Sequence, residues 1–431
     1  MIPQLLRNPG RPLTPAEHVW IRRQLILIPV YISLFLGWQS LIFRLPLNIP
    51  GLDVHVVRDF VHFYVQGVVA VEHDVRALYD MEALAAIVPR VVPDAGEMRF
   101  PPVYGPQVAV FFSPLARLPY NAALFTWLAI SLAVYLACAW LVLQRCPRLQ
   151  DRRGSVFLLL IGAPALLFDL RFSQASAIAL ACVTAAFVAL DNKRPFLAGL
   201  AIGSLFYKPP LGIAAAFIFV AAGEWVLVAG AVVAVLAQVA VGCAYWGPAI
   251  LVDYVGALRR LPEVAAGMEP FKFHMHSWRA LFQLLGLPEA VATTAHVVMS
   301  VGTLRIATTC WRSRAPLAVR FSGLLLATVL VDPHIYVYDL IILTPALLIL
   351  WDWTLGEPDR TLGTVSFLPG SWQPVARGKV LVRLLYLGYF APLLGAFASL
   401  VPVHFSVLVL ATLLLAVTER RPATPQVIIS S

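Results

Sequence analysis

The chain contains 431 residues, of which 60% are hydrophobic and only 13% are charged, and its mean hydropathy is +0.80. Soluble domains carry about 25% charged residues, so this composition excludes a water-soluble globular protein and also an intrinsically disordered one. The formal net charge of +9 would indicate a nucleic-acid partner in a soluble protein. In a membrane protein the same excess indicates cytoplasmic loops that are rich in Lys and Arg. The five cysteines form no CxxC pair, which argues against a disulfide framework or a metal cluster.

The apolar runs predict an all-α polytopic membrane protein. A spanning helix needs roughly 20 apolar residues, and about twelve runs approach that length. The first run covers residues 24–43, and the others cover 121–143, 154–170, 174–190, 195–207, 211–223, 225–246, 289–310, 316–331, 335–353, 380–398 and 404–418. Several runs are short, which is typical of tilted, kinked or broken helices.

The distribution of Lys and Arg predicts the orientation of the chain. With both termini in the cytoplasm, most of the 32 basic residues fall in inner segments, as the positive-inside rule requires. This explains the positive charge without a nucleic-acid partner. We therefore expect a single polytopic domain over residues 1–431, with outer loops at 44–120 and 247–288 and an inner connector at 354–378.

The first outer loop carries a candidate catalytic group. On a helix, Asp59, His62, Phe63 and Gln66 would share one face. A carboxylate with an imidazole one turn away is a plausible general-base arrangement. An interfacial amphipathic helix with a solvated Asp59 explains the same spacing.

The segment that follows this predicted helix is compatible with two structures. Residues 99–106 read RFPPVYGP, and residues 107–120 form an apolar run with two prolines and an arginine. This run is too short to span comfortably, so it predicts a re-entrant or interface-lying element. An ordinary loop followed by the start of a tilted helix is the alternative.

Two cations lie at predicted outer turns. Lys208 stands between two apolar runs, where Pro209 and Pro210 break the helix, and its charge could hold a phosphate. A lysine that snorkels from a tight hairpin explains the position equally well. Arg171 follows Asp169 at another outer turn; it could form a capping ion pair with that aspartate or contact a phosphate.

The second outer loop mixes cations with aromatic residues. Residues 271–279 read FKFHMHSWR. His274 and His276 do not share a helix face, so a helical zinc pair is disfavoured. The composition suits an anionic headgroup or a sugar ring, and an amphipathic interface belt is the alternative.

The last polar group, at residues 331–339, falls where one predicted span ends and the next begins. It contains two carboxylates, Asp332 and Asp339, together with His334 and Tyr338. Pro333 disfavours a helix at the preceding residue. This is more polar chemistry than a hairpin needs, although caps at two helix ends would account for part of it.

The order of these motifs resembles glycosyltransferase family 87, a family of polytopic GT-C enzymes that includes polyprenol-phosphate-mannose-dependent alpha-mannosyltransferases. The matching segments read DFVHFYVQG at 59–67, LYD at 78–80, FPP at 100–102, PLARLP at 114–119, SQ at 173–174, AG at 198–199 with KP at 208–209, and PH at 333–334 with YDL at 338–340. Ser173 replaces a commoner glycine of the pattern, and the connector 354–378 matches no part of it.

The resemblance implies a GT-C-like fold with outer-face loop helices and a membrane hexosyltransferase. Its implied reaction moves a sugar, with mannose favoured, from a polyprenyl-phosphate donor to a hydroxyl of a lipid or glycan acceptor at the extracytoplasmic face of the plasma membrane. Inversion is expected, and neither a metal nor a cofactor is expected.

The resemblance also assigns roles to residues. Asp59 is the expected base, and His334 would orient it or the phosphate. Lys208 and Arg171 are expected to bind the donor phosphate. Sugar or acceptor contacts are expected from His62, Tyr64, Gln66, His274, His276, Tyr338 and Asp339.

A transporter or lipid flippase is the main alternative, since broken helices also suit transport. It would predict ionisable residues deep in several spans and two related halves. The ionisable residues of this chain instead gather at one predicted boundary, and no internal repeat is visible.

Overall fold

Helices make up most of the chain that a computed structural model describes, namely residues 14–42, 59–92, 98–268, 272–356, 364–365 and 375–418. Residues 44–58 and 93–97 of the predicted first outer loop, most of the predicted connector 354–378, and both termini lie outside this part. The α-helices are, in chain order, α1 (Pro15–Ile42), α2 (Phe60–Glu72), α3 (Met81–Val91), α4 (Pro106–Phe112), α5 (Tyr120–Leu143), α6 (Pro147–Gln150), α7 (Arg153–Ile161), α8 (Pro164–Phe172), α9 (Ser176–Asp191), α10 (Pro195–Gly203), α11 (Pro210–Ala222), α12 (Trp225–Trp246), α13 (Ile250–Met268), α14 (Trp278–Leu284), α15 (Glu289–Trp311), α16 (Leu317–Val331), α17 (Thr344–Gly356), α18 (Arg377–Tyr389), α19 (Ala391–Leu394) and α20 (Phe405–Thr418).

Short 3-10 helices and one small sheet complete the fold. The 3-10 helices are Ala77–Tyr79, Leu115–Arg117, Ser204–Tyr207, Lys272–His274, Val337–Leu343 and Gly395–Ser399. Strands β1 (Thr364–Val365) and β2 (Val375–Ala376) pair antiparallel within the predicted inner connector.

Five helical segments of the described residues are long and apolar enough to cross a membrane. They are Tyr120–Leu143, Arg153–Phe172, Trp225–Trp246, Glu289–Trp311 and Val337–Gly356. A sixth span results if the bent pair Gly378–Tyr389 and Ala391–Ala398 is counted as one. The chain is therefore a helical membrane protein, but the predicted number of about twelve spans is not confirmed.

The difference in span number has a physical cause. Six further apolar helices contain only 13–16 residues, so at 1.5 Å per residue they are roughly 20–24 Å long, short of a hydrocarbon core of about 30 Å. Proline at the first helical position begins several helices, including α8, α10 and α11. Such prolines divide the apolar sequence into short pieces because they cannot continue a preceding helix.

Glycines allow α10 and α12 to pack backbone against backbone. A Cβ at Gly199 would fall against the carbonyl oxygen of Leu227, and one at Gly230 would fall against that of Phe196. Small residues permit this close approach between apolar helices. The pair fixes the end of α10, from which Lys208 follows after one 3-10 turn.

Buried helices bring the polar turns together. Helix α16 is buried along most of its length and packs on α11, α15, α17 and α20 before it ends at Val331, next to Asp332. Helix α9 contacts α5, α10 and the 3-10 helix Val337–Leu343. The turns at the ends of these helices therefore meet in one region.

Candidate active site

Asp59 directly precedes α2, and its carboxylate faces the turn after α8. Its Oδ2 accepts a hydrogen bond of 2.5 Å from Gln174 Nε2, and the carbonyl oxygen of Gln174 accepts one of 3.2 Å from the Trp127 indole. Burial raises the pKa of Asp59 above its ordinary value of 3.8, while the Gln174 hydrogen bond and the charge of Lys208 offset part of the rise. A carboxylate with a raised pKa is a stronger base, so Asp59 is suited to accept a proton.

Lys208 forms a buried ion pair with Asp339. Its Nζ lies 2.6 Å from both carboxylate oxygens, and the ring centroid of Tyr338 lies 5.2 Å from the same Nζ. Asp339 also accepts hydrogen bonds from the Ser176 hydroxyl at 2.6 Å and from the Tyr336 backbone N–H at 3.1 Å. These donors occupy a side chain that is 0% exposed, so this geometry makes Asp339 the counter-ion of Lys208. Its predicted contact with sugar stays a prediction.

Tyr104 lies within electrostatic range of both Asp59 and the ion pair between Lys208 and Asp339. Its phenol interacts electrostatically with both Asp59 and Asp339, and so does the phenol of Tyr338. Tyr104 lies just before α4, where its ring packs at 5.4 Å from His62. The carboxylate, the ion pair and two phenols therefore belong to one polar region.

Two further buried carboxylates interact electrostatically with Lys208. They belong to Asp169, which is 0% exposed, and to Asp332, which is 1% exposed. The Oδ1 atom of Asp332 accepts a hydrogen bond of 2.8 Å from the His334 backbone N–H. Burial nevertheless raises the pKa of Asp332 to about 6. With Asp59 and Asp339, four carboxylates thus act on this ammonium group.

Not all predicted residues of the first loop are directed toward Asp59. His62 and Gln66 contact each other through their Nε2 atoms at 2.8 Å, and the His62 ring stacks on Phe100 at 5.0 Å. Tyr64 donates a hydrogen bond of 2.8 Å to the Leu118 carbonyl oxygen. Its hydroxyl is therefore committed to the packing of the first loop.

The predicted cation Arg171 lies beside the second outer loop. Its charge acts on His274, whose ring packs at 5.9 Å from Phe172. The Phe172 ring is in turn 5.6 Å from Tyr338. Arg171 and His274 therefore lie at the edge of the Lys208 region, with Phe172 between them and Tyr338.

His276 and His334 have different surroundings. His276 is fully buried; its Nδ1 contacts the Ser406 hydroxyl at 2.8 Å, and its ring packs on His404. It thus holds the second loop to α20, and its sugar contact stays a prediction. His334 interacts electrostatically with Asp332 and with His296 of α15.

A short backbone contact links the second loop to the Asp339 turn. Met275 and Tyr336 form an isolated antiparallel bridge, and the His276 N–H donates a hydrogen bond of 3.1 Å to the Ile335 carbonyl oxygen. Tyr336 is the residue whose N–H holds Asp339. The backbone of Ile335 and Tyr336 therefore links the second outer loop to the ion pair.

Sequence reasoning did not select Gln174, Ser176, Tyr104 or Asp332 as site residues. Three of them could have been selected, because Gln174, Tyr104 and Asp332 each stand in a polar segment that the sequence analysis describes. Ser176 carried no signal, since a single serine at the start of an apolar run is common.

The neighbouring Ser173 explains a departure from the family pattern. It adopts a left-handed backbone conformation with φ of 54°, in which glycine is favoured. Its hydroxyl donates a hydrogen bond of 3.2 Å to the Leu170 carbonyl oxygen. The turn therefore keeps its shape with serine in place of glycine.

These features define a helical membrane protein with a buried carboxylate and lysine site at the ends of its helices. The model of glycosyltransferase family 87 matches residues 103–333, which is more than half of the chain. The chain belongs to this family and is accordingly a membrane glycosyltransferase. Gln174, Lys208 and Asp332 lie inside the matched part, whereas Asp59 and Asp339 lie outside it. No curated protein and no solved structure matches the chain.

Proposed function

We propose that the protein transfers a sugar, favoured to be mannose, from a polyprenyl-phosphate sugar to a hydroxyl of a glycolipid or glycan at the extracytoplasmic face. Family membership and the apolar helices support a lipid-linked donor and a bilayer environment. The positive-inside distribution of Lys and Arg supports the outer location, because it assigns the turns that carry Asp59, Lys208 and Asp339 to that side. The observation that carries the proposal is the partly buried carboxylate of Asp59, which accepts a hydrogen bond from Gln174 and interacts electrostatically with Lys208.

The proposed reaction is a single displacement with inversion. The acceptor hydroxyl oxygen attacks C1 of the sugar while the Asp59 carboxylate takes the hydroxyl proton. The bond between C1 and the phosphate oxygen breaks, and its electron pair leaves with the polyprenyl phosphate. General-base catalysis of this kind contributes about 10²–10⁴-fold, and the raised pKa of Asp59 brings it closer to the working pH.

Lys208 supplies the positive charge for the leaving phosphate in this proposal. Its side chain is 16% exposed and its ammonium group is fixed by Asp339, so it presents an oriented charge at low cost of reorganisation. Arg171 is the second proposed phosphate contact, from the edge formed with His274. The proposal assigns the counter-charge to these side chains and to no metal ion.

The remaining contacts are proposed for the sugar and the acceptor. Tyr338 lies under the Lys208 ammonium, where its ring and hydroxyl suit a sugar bound to the phosphate. His62, which contacts Gln66 and stacks on Phe100, is proposed to bind the acceptor together with Gln66. His334 would act on the phosphate through the Asp332 turn.

The function is tested by transfer of label. Purified protein in lipid vesicles is incubated with radiolabelled polyprenyl-phosphate sugars and cell-envelope extract. The proposal expects label to move from the carrier into a glycan. Movement of intact carrier across the bilayer without transfer would instead indicate a transporter.

The Asp59→Asn variant tests the base. We expect a loss of about 10²–10⁴-fold in kcat with normal yield and folding, because asparagine retains the shape and a hydrogen-bonding oxygen for Gln174 but cannot take the proton. Asp80→Asn is the matched control, since Asp80 is an exposed cap that accepts bonds from the N–H groups of Glu82 and Ala83. Near-normal transfer by Asp59→Asn would dismiss the base assignment.

A further inference from the structure

A cavity of about 300 Å³ lies between helices α5 and α7, beside the short helix α6 that connects them. Its volume is at the lower end of the range of about 300–1,000 Å³ that is usual for ligand sites. The Tyr135 hydroxyl of α5 donates a hydrogen bond of 3.0 Å to the carbonyl oxygen of Leu160, a residue of α7 that lines the cavity. Gln150 of α6 donates hydrogen bonds of 3.3 Å to the carbonyl oxygens of Leu143 and Gln144. Hydrogen bonds therefore fix the helices that form the cavity.

The cavity lies at the end of the bundle opposite to the candidate active site. Arg153 lines it and begins the apolar segment Arg153–Phe172, whose last residue packs at 5.6 Å from Tyr338. This segment of 20 residues extends roughly 30 Å, about the thickness of a hydrocarbon core. Helix α5 gives the same order, because Trp127 lies beside the candidate site and Trp140 lines the cavity. The cavity is thus at the membrane boundary that the distribution of Lys and Arg assigns to the cytoplasm.

Each wall of the cavity places a polar side chain at the end of a span and an aromatic ring one turn deeper. On α7 these residues are Arg153 and Phe157, and on α5 they are Gln144 and Trp140. Residues four positions apart share a helix face. The Phe157 and Trp140 side chains are 56% and 57% exposed, so the cavity opens toward the bilayer. A cation and a tryptophan at this depth are typical of the headgroup region.

The polar end of the cavity carries an excess of positive charge. Residues 145–153 contain four arginines. Two of them are paired with aspartates, namely Arg145 with Asp191 at 3.0 Å and Arg148 with Asp352 at 3.3 Å. Arg152 and Arg153 form no ion pair within the part of the chain that the structure describes, and the exposed carboxylate of Asp151 offsets only one of them. One phosphodiester anion would balance the remaining charge.

We propose that this cavity binds one anionic glycerophospholipid, with its phosphate at Arg153 and its acyl chains along Phe157 and the outer surface of α7. The inference goes beyond the proposed function, since this ligand is neither the sugar donor nor the acceptor. Basic pockets between membrane helices at the cytoplasmic side are typical sites for anionic headgroups. A soluble anion would leave the apolar walls uncovered, and a zwitterionic phospholipid would bring its own cation beside the arginine.

Binding is measured on the full-length protein in detergent micelles by native mass spectrometry. Phosphatidylglycerol is the probe, and phosphatidylcholine with the same acyl chains is the zwitterionic comparison. We expect one tightly bound phosphatidylglycerol, whose affinity falls about fivefold in Arg153→Gln. Arg152→Gln is the matched control, because it removes the same charge from an exposed neighbour that does not line the cavity. It should change the affinity less than about twofold.

A second pair of variants tests the apolar wall. Phe157→Ala should weaken phosphatidylglycerol binding about fivefold because the acyl chains lose contact with the ring. Phe217→Ala is its control, since Phe217 is 49% exposed on α11, and it should leave the affinity unchanged. A phosphatidylglycerol with a photoreactive diazirine in one acyl chain should label residues 140–160 in the unchanged protein and both controls, and should label Arg153→Gln and Phe157→Ala much less.

Several outcomes would overturn the inference. They are equal affinity for the two lipids, equal losses in Arg152→Gln and Arg153→Gln, and labelling outside residues 140–160. Displacement of the probe by an equal concentration of glycerol phosphate would assign the cavity to a soluble anion, and crosslinks from its lining to another segment or another copy of the chain would assign it to protein. None of these measurements requires sugar transfer, so the lipid site and the proposed function can fail independently.

Discussion

The ion pair between Lys208 and Asp339 can be tested by a double-mutant cycle. Lys208→Met and Asp339→Asn each remove one partner of a pair whose side chains are 16% and 0% exposed. Removing one partner of a buried pair costs about 3–5 kcal/mol, whereas removing both charges costs much less. The double variant should therefore be more stable than either single variant, with a coupling energy of at least about 2 kcal/mol.

The assay is unfolding in detergent micelles, followed by tryptophan fluorescence, for the four proteins of the cycle. Arg145 and Asp191 provide the control pair, because they also contact at 3.0 Å but their side chains are 22% and 45% exposed. Their coupling should stay below about 1 kcal/mol. If the two single losses at Lys208 and Asp339 simply add, the buried pair is not a coupled unit. Transfer should be absent in both proteins that lack Lys208, including the restabilised double variant.

Two further predictions concern proton transfer and helix packing. Since a protonated Asp59 cannot act as the base, kcat/KM should fall as the pH decreases through the Asp59 pKa, with a midpoint above the ordinary 3.8. The same fall in kcat/KM should persist in Asp332→Asn, which lacks the carboxyl of pKa about 6. If the fall disappears in this variant, the titrating group is Asp332 and not Asp59. Gly199→Ala should destabilise the protein by about 1–3 kcal/mol because its Cβ meets the backbone of Leu227. Gly212→Ala, with nothing within 4 Å of the added Cβ, should be neutral or stabilising by up to about 1 kcal/mol in the same unfolding assay.

Long uninterrupted helices could be predicted closely from sequence. The apolar run 225–246 coincides with α12, and the run 121–143 differs from α5 by one residue. Both are decided locally, because an unbroken apolar sequence of this length has few alternatives in a bilayer. The number of spans was not predicted, since the apolar run 211–223 is counted as a span although the corresponding helix α11, with 13 residues, is too short to cross alone.

The candidate site was predictable only as separate pieces. Asp59 and Lys208 could be selected because ionisable residues at an apolar boundary are costly. That Asp339 holds Lys208 could not be foreseen, because the two are 131 positions apart and meet only through the packing of α9 against both α10 and the 3-10 helix Val337–Leu343. The same applies to Gln174 and Asp59, which are 115 positions apart.

The backbone bridge between Met275 and Tyr336 couples the second outer loop to the candidate active site. A displacement of this loop would move Tyr336 through their backbone contact. The Tyr336 N–H donates a hydrogen bond to Asp339, which in turn pairs with the ammonium of Lys208. We expect a ligand that docks on the second loop to change the hydrogen-exchange rate of the Tyr336 amide without touching it. Through such a linkage, binding of the acceptor would change how tightly the donor is bound. Cleavage of the donor would then occur when the acceptor hydroxyl is present, and transfer of the sugar to water would be reduced.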